Sequence, residues 1–487
     1  MSRSRDKQRR KERGDGFDLK NDKDFEQAEA RRKQTRTAVI VLIALAIVAV
    51  VVLVLNSNFF YRNMTAVRVD GQNFSIVDMN FYSAHRGGDF DLAVEAAQRS
   101  TILHQRATAA GLTLTAEQQE EVDEIIRFFR EDYGEQMFPT SSGFIIANYG
   151  RSMNLRTLRT LFEFDALGRA YEEHFIQSLI DGYSESELEA FYMENRDSYD
   201  RVHFRLHEIS MIPPGAEFDE EEEIELDPTE ALATARAIVE ATEEDGEEGF
   251  LSALQEETGI PVDSLESWTF RNEVRMILEF QTYGDWLLND SRQAGDVAYF
   301  QGEEVVYVVY FLDVDENRYH TSNVRHILVS PEDVDHLDEN EEFRDPAEIA
   351  MDEAAALAVA RLQADELLSR WQAGGATEES FIELVREYSA DYRGEDDPGL
   401  YDEIDHNTPF VEEFLDWAMD PTRRPGDVEI VETQFGFHIM YFVSHSEMDL
   451  RHTLAANDMS REAFTTWLEE ATAASSWERT FFARLVG

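Results

Sequence analysis

The sequence of 487 residues contains no cysteine, and its five lysines all lie at or before Lys33. The absence of cysteine excludes disulfide bonds, thiol catalysis and a lipoprotein anchor. The chain also lacks a Gly-x-Ser-x-Gly elbow, a Walker loop, a His-Glu-x-x-His pair and a dinucleotide fingerprint. The sequence therefore indicates none of the enzyme classes that these motifs mark.

Positive charge is scarce, because 44 Lys and Arg stand against 100 Asp and Glu, a formal net charge of −56. A body of this charge repels nucleic acid and anionic lipid, so neither is predicted as its partner. High acidity with little lysine keeps proteins soluble in strong salt, which suggests a saline or alkaline exterior; drift in genome composition is the alternative. No cofactor or metal is predicted. On one strand, His203 and His207 would lie ~13 Å apart, too far to share an ion.

One long apolar run is present: residues 38–55 are 18 consecutive Ala, Val, Ile and Leu residues. As a helix this run can cross a hydrocarbon core of ~30 Å. Basic residues precede it and aromatic residues follow it, which predicts a cytoplasmic N-terminus and a body outside the membrane. We therefore predict a disordered cytoplasmic basic tail over 1–36 and a transmembrane helix over 37–56. A cleaved signal peptide is the alternative, but residues 56–59 contain no small-x-small motif.

Two segments that are far apart in the chain, 324–329 and 435–440, have the β-branched and apolar composition of strands. Each carries a histidine, His326 or His438, and adjacent strands would make these two residues neighbours. Between the segments, Phe381, Leu384, Val385 and Tyr388 follow the i, i+3, i+4, i+7 spacing of a buried helix face. That helix leads into Ser389-Ala390-Asp391.

Three motifs occur in order: Arg325-His326-Ile327-Leu328, Tyr388-Ser389-Ala390-Asp391 and Phe435-Gly436-Phe437-His438-Ile439. Together they resemble the signatures of parvulin-type peptidyl-prolyl cis/trans isomerases. The resemblance implies an isomerase domain over 317–447.

In that domain the resemblance implies that His326, Asp391 and His438 form a catalytic hydrogen-bonded network beneath the substrate amide. It implies that the substrate-binding residues are Leu400, Phe410 and Phe414, with Phe435 and Ser389 nearby. The family's Gly-Gly-x-Leu-Gly turn appears here as Asp397-Pro398-Gly399-Leu400-Tyr401. A positive φ at Tyr401 would displace Leu400.

Residues 201–316 repeat this pattern without its polar residues. Asp285-Trp286 precedes Gly295-Asp296-Val297 at the spacing that separates Asp416-Trp417 from Gly426-Asp427-Val428. In the same register, Tyr307 replaces His438, Ile260 replaces Asp391 and Glu279 replaces Phe410, while His207 is placed opposite His326. The sequence predicts a degenerate parvulin-like domain that serves binding or spacing.

The segment 57–200 begins with strand-like sequence and continues as amphipathic helices. The order of its motifs, with Val69-Asp70-Gly71 first and Glu194-Asn195 last, resembles the N-terminal chaperone domain of SurA-like folding factors; a generic helical domain is the alternative. The tail 448–487 has an apolar helical face that is expected to continue to Leu485. The resemblance implies that this tail docks on the chaperone domain.

The expected fold class is therefore multidomain α+β: one transmembrane helix, a helical SurA-like domain and two parvulin-like α/β domains. The resemblance to SurA/PpiD-like folding factors implies an isomerase and chaperone for unfolded or nascent exported polypeptides that contain X-Pro bonds. It would be a single-pass protein of the inner (cytoplasmic) membrane with its body in the periplasm. The alternative is a non-catalytic membrane-anchored holdase or scaffold, which would keep the parvulin fold for client binding.

Overall fold

The structure is a computed structural model that describes residues 19–132, 140–212, 226, 228–337, 343–391 and 398–486. It has the mixed α+β architecture that the sequence predicts. The chain divides into two compact units, one of Met1–Leu179 with Arg461–Gly487 and one of Ile180–Ser460. Below they are called the terminal unit and the central unit.

The terminal unit is mainly helical, with one small sheet. In chain order its elements are α1 (Leu19–Leu55), α2 (Asn58–Asn63), β1 (Thr65–Val69), β2 (Gln72–Ser75), α3 (Ile76–Ala84), α4 (Phe90–Ala110), α5 (Ala116–Arg127), a π-helical turn (Phe128–Asp132), α6 (Ser141–Tyr149) and α7 (Leu155–Ile180).

Helix α1 carries the apolar run, and its segment Ala28–Leu55 is long and apolar enough to cross a membrane. The prediction of disorder before this run is wrong for residues 19–36, which are helical; residues 1–18 lie outside the described part of the chain. A helix that is already nucleated extends at little cost, and Lys33 lies 4.0 Å from Glu29 one turn earlier. The apolar segment is therefore continuous with a charged helical stem.

The sheet of the terminal unit joins the two ends of the chain. Strand β1 pairs on one side with β2 through a tight turn at Asp70 and Gly71, which both have positive φ. On its other side β1 pairs antiparallel with β11 (Trp477–Arg479). Beyond that strand, Ala483 is buried in the same core. Tail residues therefore complete this sheet.

The tail is not one continuous helix, so that expectation is wrong. Helix α17 covers Leu450–Ala474 and is followed by β11 and a 3₁₀ turn, Phe481–Leu485. The backbone of β1 presents donors and acceptors at its free edge, and three extended tail residues satisfy them. This tertiary pairing overrides the local helical pattern.

Within its described residues, the central unit contains two four-stranded antiparallel sheets. The lobe built on the first sheet comprises β3 (Arg201–Ser210), α10 (Pro228–Thr258), α11 (Val262–Thr269), β4 (Phe270–Val274), α12 (Arg275–Leu278), α13 (Gly284–Leu287), β5 (Val297–Gln301) and β6 (Val305–Asp315). Helices α8 (Glu185–Glu194) and α9 (Arg196–Tyr199) precede it.

The lobe built on the second sheet has the same order of elements, except that a single helix stands where the first lobe has α12 and α13. It comprises β7 (His320–Val329), α14 (Pro346–Ala373), α15 (Glu378–Tyr388), β8 (Leu400–Ile404), α16 (Glu412–Met419), β9 (Val428–Thr433) and β10 (Gly436–Asp449). These lobes are called the first lobe and the second lobe, and the strand orders of their sheets are β4-β3-β6-β5 and β8-β7-β10-β9.

Each sheet buries apolar side chains on both faces. In the second lobe, Phe381 of α15 packs with Ile439 on one face, and Phe414 of α16 packs with Met440 on the other. Adjacent residues of a strand point to opposite faces, so Ile439 and Met440 belong to separate cores. The α16 face is the one that carries the polar site.

Candidate active site

The two histidines predicted from sequence lie side by side on the α16 face of the second lobe. Strands β7 and β10 are antiparallel, with His326 opposite Met440 and His438 opposite Leu328. The two histidines are therefore offset by two residues across the pair and point to the same face. Their ring centroids are 5.2 Å apart with planes at 89°, and their residues are only 2% and 5% exposed.

Three buried nitrogens of these histidines have no hydrogen-bond partner among the described residues: both ring nitrogens of His326 and Nδ1 of His438. Buried polar atoms without partners are uncommon in folded proteins, because each one costs free energy to desolvate. Their concentration at one point on the sheet distinguishes this point from ordinary core and makes it the candidate site.

Asp391 reaches the site from the loop that follows α15. The peptide N–H of Ala390 donates to Leu328 O at 2.8 Å, and the Ser389 hydroxyl accepts from Leu328 N at 3.1 Å. These bonds tie the loop to β7 and set Asp391 Oδ2 3.3 Å from His326 Nε2, an electrostatic contact that lacks the geometry of a hydrogen bond. Ser389 was predicted to bind substrate, but its hydroxyl is engaged with this backbone.

Tyr401, which sequence reasoning treated only as a missing glycine, is part of the polar site. Its hydroxyl donates to Asp391 Oδ2 at 2.7 Å, and its ring stacks on His326 with centroids 5.1 Å apart and planes at 28°. It lies in the extended strand β8, so the turn does not need a positive φ there.

The positive φ of this turn, 68°, is at Gly399. A Cβ on that residue would come within 2.7 Å of His326 O, so a glycine is required at this position. Asp397, the first residue of the motif, lies outside the described residues.

The assignment of Leu400 to the proline pocket is corrected by the register of β8. Leu400 pairs with Arg325, whose guanidinium turns to the opposite face and donates to Glu378 at 2.7 Å. Tyr401 pairs with Val324 and shares its apolar cluster on the site face. Since paired residues point to the same face, Tyr401 and not Leu400 lies beside the histidines.

Three aromatic rings form an apolar wall next to the polar residues. The centroid of Phe410 lies 4.7 Å from that of Phe414 and 5.0 Å from that of Tyr401. Phe414 in turn contacts both histidine rings, at 5.4 Å from His326 and 5.3 Å from His438. Phe414 therefore adjoins the two predicted histidines directly, and Phe410 adjoins them through Phe414 and Tyr401.

Phe435, the remaining predicted binding residue, is 53% exposed at the turn between β9 and β10. The turn requires Gly436, which has φ 124°, because a Cβ there would meet Val329 O at 2.4 Å. Phe435 N donates to the Thr433 hydroxyl at 3.2 Å, and that hydroxyl lies 2.9 Å from His438 Nε2. We assign the Thr433 hydroxyl as the donor to His438 Nε2, which places the proton of the neutral ring on Nδ1.

Burial lowers the pKa of His438 from its ordinary 6.5 to about 4, because a charged imidazole is poorly solvated here. The neighbouring His326 lowers this pKa further, while Asp391 opposes the shift. His438 is therefore neutral at pH 7 and can donate or accept a hydrogen bond without carrying charge.

The first lobe retains the fold but none of the three polar residues. Arg205 donates to Glu247 at 2.6 Å as Arg325 donates to Glu378, and it pairs with Tyr310 as Arg325 pairs with Tyr441. The two arginines are therefore structural equivalents, and the residue after each faces the site.

The residue equivalent to His326 is consequently Leu206, and the earlier placement of His207 is wrong by one position. His207 points to the other face and lies 3.3 Å from Glu257. A slip of one residue exchanges the two faces of a strand, so it moves His207 away from the face that Leu206 occupies. Leu206 instead joins the apolar cluster that includes Tyr307 and Tyr283.

Comparison with known families identifies the second lobe. The family model described as Rotamase, PPIC-type PPIASE domain, matches residues 326–444. No curated protein matches the chain. Within the described residues, no group of three or more His, Cys, Asp or Glu side chains could hold a metal ion.

Two solved structures illustrate the similar proteins. A peptidylprolyl isomerase (PrsA) from Bacillus anthracis is 13% identical, with a TM-score of 0.20 over 50% of this chain and 86% of that chain. A foldase protein (PrsA) from Lactococcus lactis is 11% identical, with a TM-score of 0.22 over 67% of this chain and 100% of that chain. These TM-scores are too low to indicate a shared fold, so the identification of the domain rests on the family match alone.

The lowered pKa of His438 predicts a pH-dependent stability. Between pH 6.5 and 4 the unfolded chain binds a proton that the folded chain excludes. The contribution of this residue is therefore complete above pH 6.5 and is lost as the pH falls through 4. The full loss in the free energy of unfolding is about 3 kcal/mol.

Denaturant unfolding at pH 7 and pH 4.5 should show a smaller difference in the free energy of unfolding for His438→Gln than for wild type. His336→Gln, which alters an exposed histidine, is the control. Equal pH effects in all three proteins would contradict the assignment.

Proposed function

Because residues 326–444 form a PPIC-type peptidyl-prolyl isomerase domain, we propose that this domain isomerises X-Pro bonds in unfolded or nascent exported polypeptides. The observation that carries the proposal is the joint placement of His326, Asp391 and His438 against Phe410 and Phe414 on one face of the sheet. Apolar rings would receive the proline ring, and the polar residues would lie beneath its amide.

The reaction breaks no bond, so the site needs neither a nucleophile nor a metal ion. Twisting a peptide bond sacrifices amide resonance across a barrier of ~18–20 kcal/mol. A 10⁴-fold acceleration requires about 5.5 kcal/mol of preferential binding to the twisted amide. A neutral His438 next to an acidic Asp391 supplies preorganised polar groups beside the amide, and buried rings exclude water from them.

This mechanism predicts how substitutions of His438 and Asp391 change kcat/KM. The double variant His438→Ala with Asp391→Ala should lower kcat/KM for an Ala-Pro peptide by roughly 10²-fold, because both polar groups next to the amide are lost. His336→Ala should leave kcat/KM unchanged, since that side chain is exposed and 3.1 Å from Glu353. Full activity in the double variant would refute the proposed site.

We propose that α1 holds the protein in the inner (cytoplasmic) membrane, with the N-terminus in the cytoplasm and residues 57–487 outside. The length and composition of Ala28–Leu55 support this placement, and so do the basic residues before the apolar run. Unfolded exported chains would meet the isomerase as they leave the membrane.

This placement predicts that the full-length chain stays in the membrane fraction after carbonate washing, since ~18 apolar residues in a bilayer resist extraction. Protease added from outside should digest the chain beyond α1 and leave an N-terminal fragment of about 60 residues. A mature body that begins near Asn58 would instead show that the helix is a cleaved signal.

We also propose that residues 57–200 form a SurA-like chaperone domain that the tail 448–487 completes. The pairing of β11 with β1 and the burial of Ala483 support this proposal. So does the contact of Phe175 in α7 with Trp467 in α17, at 5.1 Å between centroids.

A second candidate function is client binding that does not depend on the isomerase site, and an exposed apolar patch of the first lobe favours it. The patch consists of large side chains around β4 that are 42–84% exposed: Trp268, Phe270, Met276, Ile277 and Phe280. Within the described residues, β4 pairs only with β3 and lies at the edge of its sheet. An extended polypeptide could add to that edge and lay its apolar side chains on the patch.

The patch predicts a separation of the two activities. Phe280→Ser with Trp268→Ser should weaken suppression of aggregation of an unfolded client several-fold, because exposed apolar contact area is lost. Peptide turnover should not change. Leu362→Ser, an equally exposed position on α14, is the matched control. If the two sets of variants suppress aggregation equally well, the patch does not bind clients.

A further inference from the structure

We propose that Tyr401 is a positioning residue of the isomerase site, whose hydroxyl holds Asp391 against His326 while its ring couples that contact to the proline pocket. The inference rests on the proposed function of the second lobe and adds to it a residue that stands at the trailing glycine of the family turn. Three independent contacts of the side chain carry the proposal.

The first contact is the hydrogen bond to the carboxylate. Asp391 Oδ2 accepts from the Tyr401 hydroxyl at 2.7 Å and is the same oxygen that lies 3.3 Å from His326 Nε2. The Asp391 side chain is 33% exposed, so water competes for its oxygens. A phenol that donates to a carboxylate is a charge-assisted donor, which fixes the oxygen beside the imidazole.

The second contact covers the imidazole. The Tyr401 ring stacks on His326 at 5.1 Å, while Phe414 meets the same imidazole edge-on at 5.4 Å. His326 is therefore enclosed by aromatic rings on two sides, and its buried nitrogens are kept from solvent. In such a setting the electrostatic contact with Asp391 is stronger than it would be in water.

The third contact joins the tyrosine to the apolar wall. The Tyr401 ring meets Phe410 at 5.0 Å with planes at 86°. A proline ring seated against Phe410 therefore lies next to a side chain whose other end holds the carboxylate. Substrate seating and the orientation of Asp391 are linked through one rigid ring.

The contacts predict a division between kcat and KM. Tyr401→Phe removes only the hydroxyl, so kcat should fall about tenfold with KM nearly unchanged, since one hydrogen bond to a charged group is lost. Tyr401→Leu also removes the ring and should raise KM. In an Asp391→Asn background, Tyr401→Phe should cause little further loss, because the two residues act through one contact.

Two controls separate this role from a structural one. Tyr441→Phe alters a tyrosine on the opposite face of β10, against Trp371 and Phe381, and should keep wild-type kcat and KM. Thermal unfolding of each variant reports any general loss of stability. The imidazole ¹⁵N resonances of His326 should move in Tyr401→Phe and stay in place in Tyr441→Phe.

The outcomes distinguish the positioning role from the proposed function. Wild-type kcat and unshifted His326 resonances in Tyr401→Phe would overturn the positioning role and leave the isomerase site intact. A wild-type chain without peptide turnover would overturn the proposed function. In that case the His326 resonances would still show whether the Tyr401 hydroxyl holds Asp391 beside His326, because this measurement needs no substrate.

Discussion

The antiparallel pairing of β7 with β10 is the constraint on which the rest of the second lobe depends. It sets His326 and His438, which are more than a hundred residues apart in the chain, two positions apart across one strand pair. The same pairing divides the side chains of both strands between an apolar core under α14 and α15 and a face that carries chemistry. Each further element of the site, namely the loop with Asp391 and the strand with Tyr401, attaches to β7 by backbone hydrogen bonds.

The features of the site that follow from local pattern were predictable from the sequence. Strand-like composition around His326 and His438 predicts neighbouring strands, and the apolar spacing of Phe381 to Tyr388 predicts the helix that delivers Asp391. The mixed α+β class and the apolar helix follow in the same way from periodicity and run length. These patterns depend on residues close together in the chain.

The parts that sequence reasoning missed depend on register or on distant partners. Leu400 was assigned to the pocket beside the histidines, where Tyr401 lies, and His207 was assigned as the equivalent of His326. Both are errors of one position, which exchange the two faces of a strand. No local pattern fixes which residue of one strand lies opposite which residue of the next, so only the paired strand reveals the register. For a similar reason β11 was missed, since its three residues are extended only because β1 offers them an open edge.

The sheet of the terminal unit also constrains when that unit can fold. Arg68 on β1 binds Glu478 on β11, a partner 410 residues later in the chain. The ribosome must therefore make the whole central unit before β1 finds its second neighbour, whereas the contacts within each lobe close over much shorter loops. Until the tail has been synthesised, β1 has one unpaired edge, whereas the sheet of the second lobe needs no residue beyond β10. The isomerase lobe can therefore close before the terminal unit, which precedes it in sequence, receives its last strand.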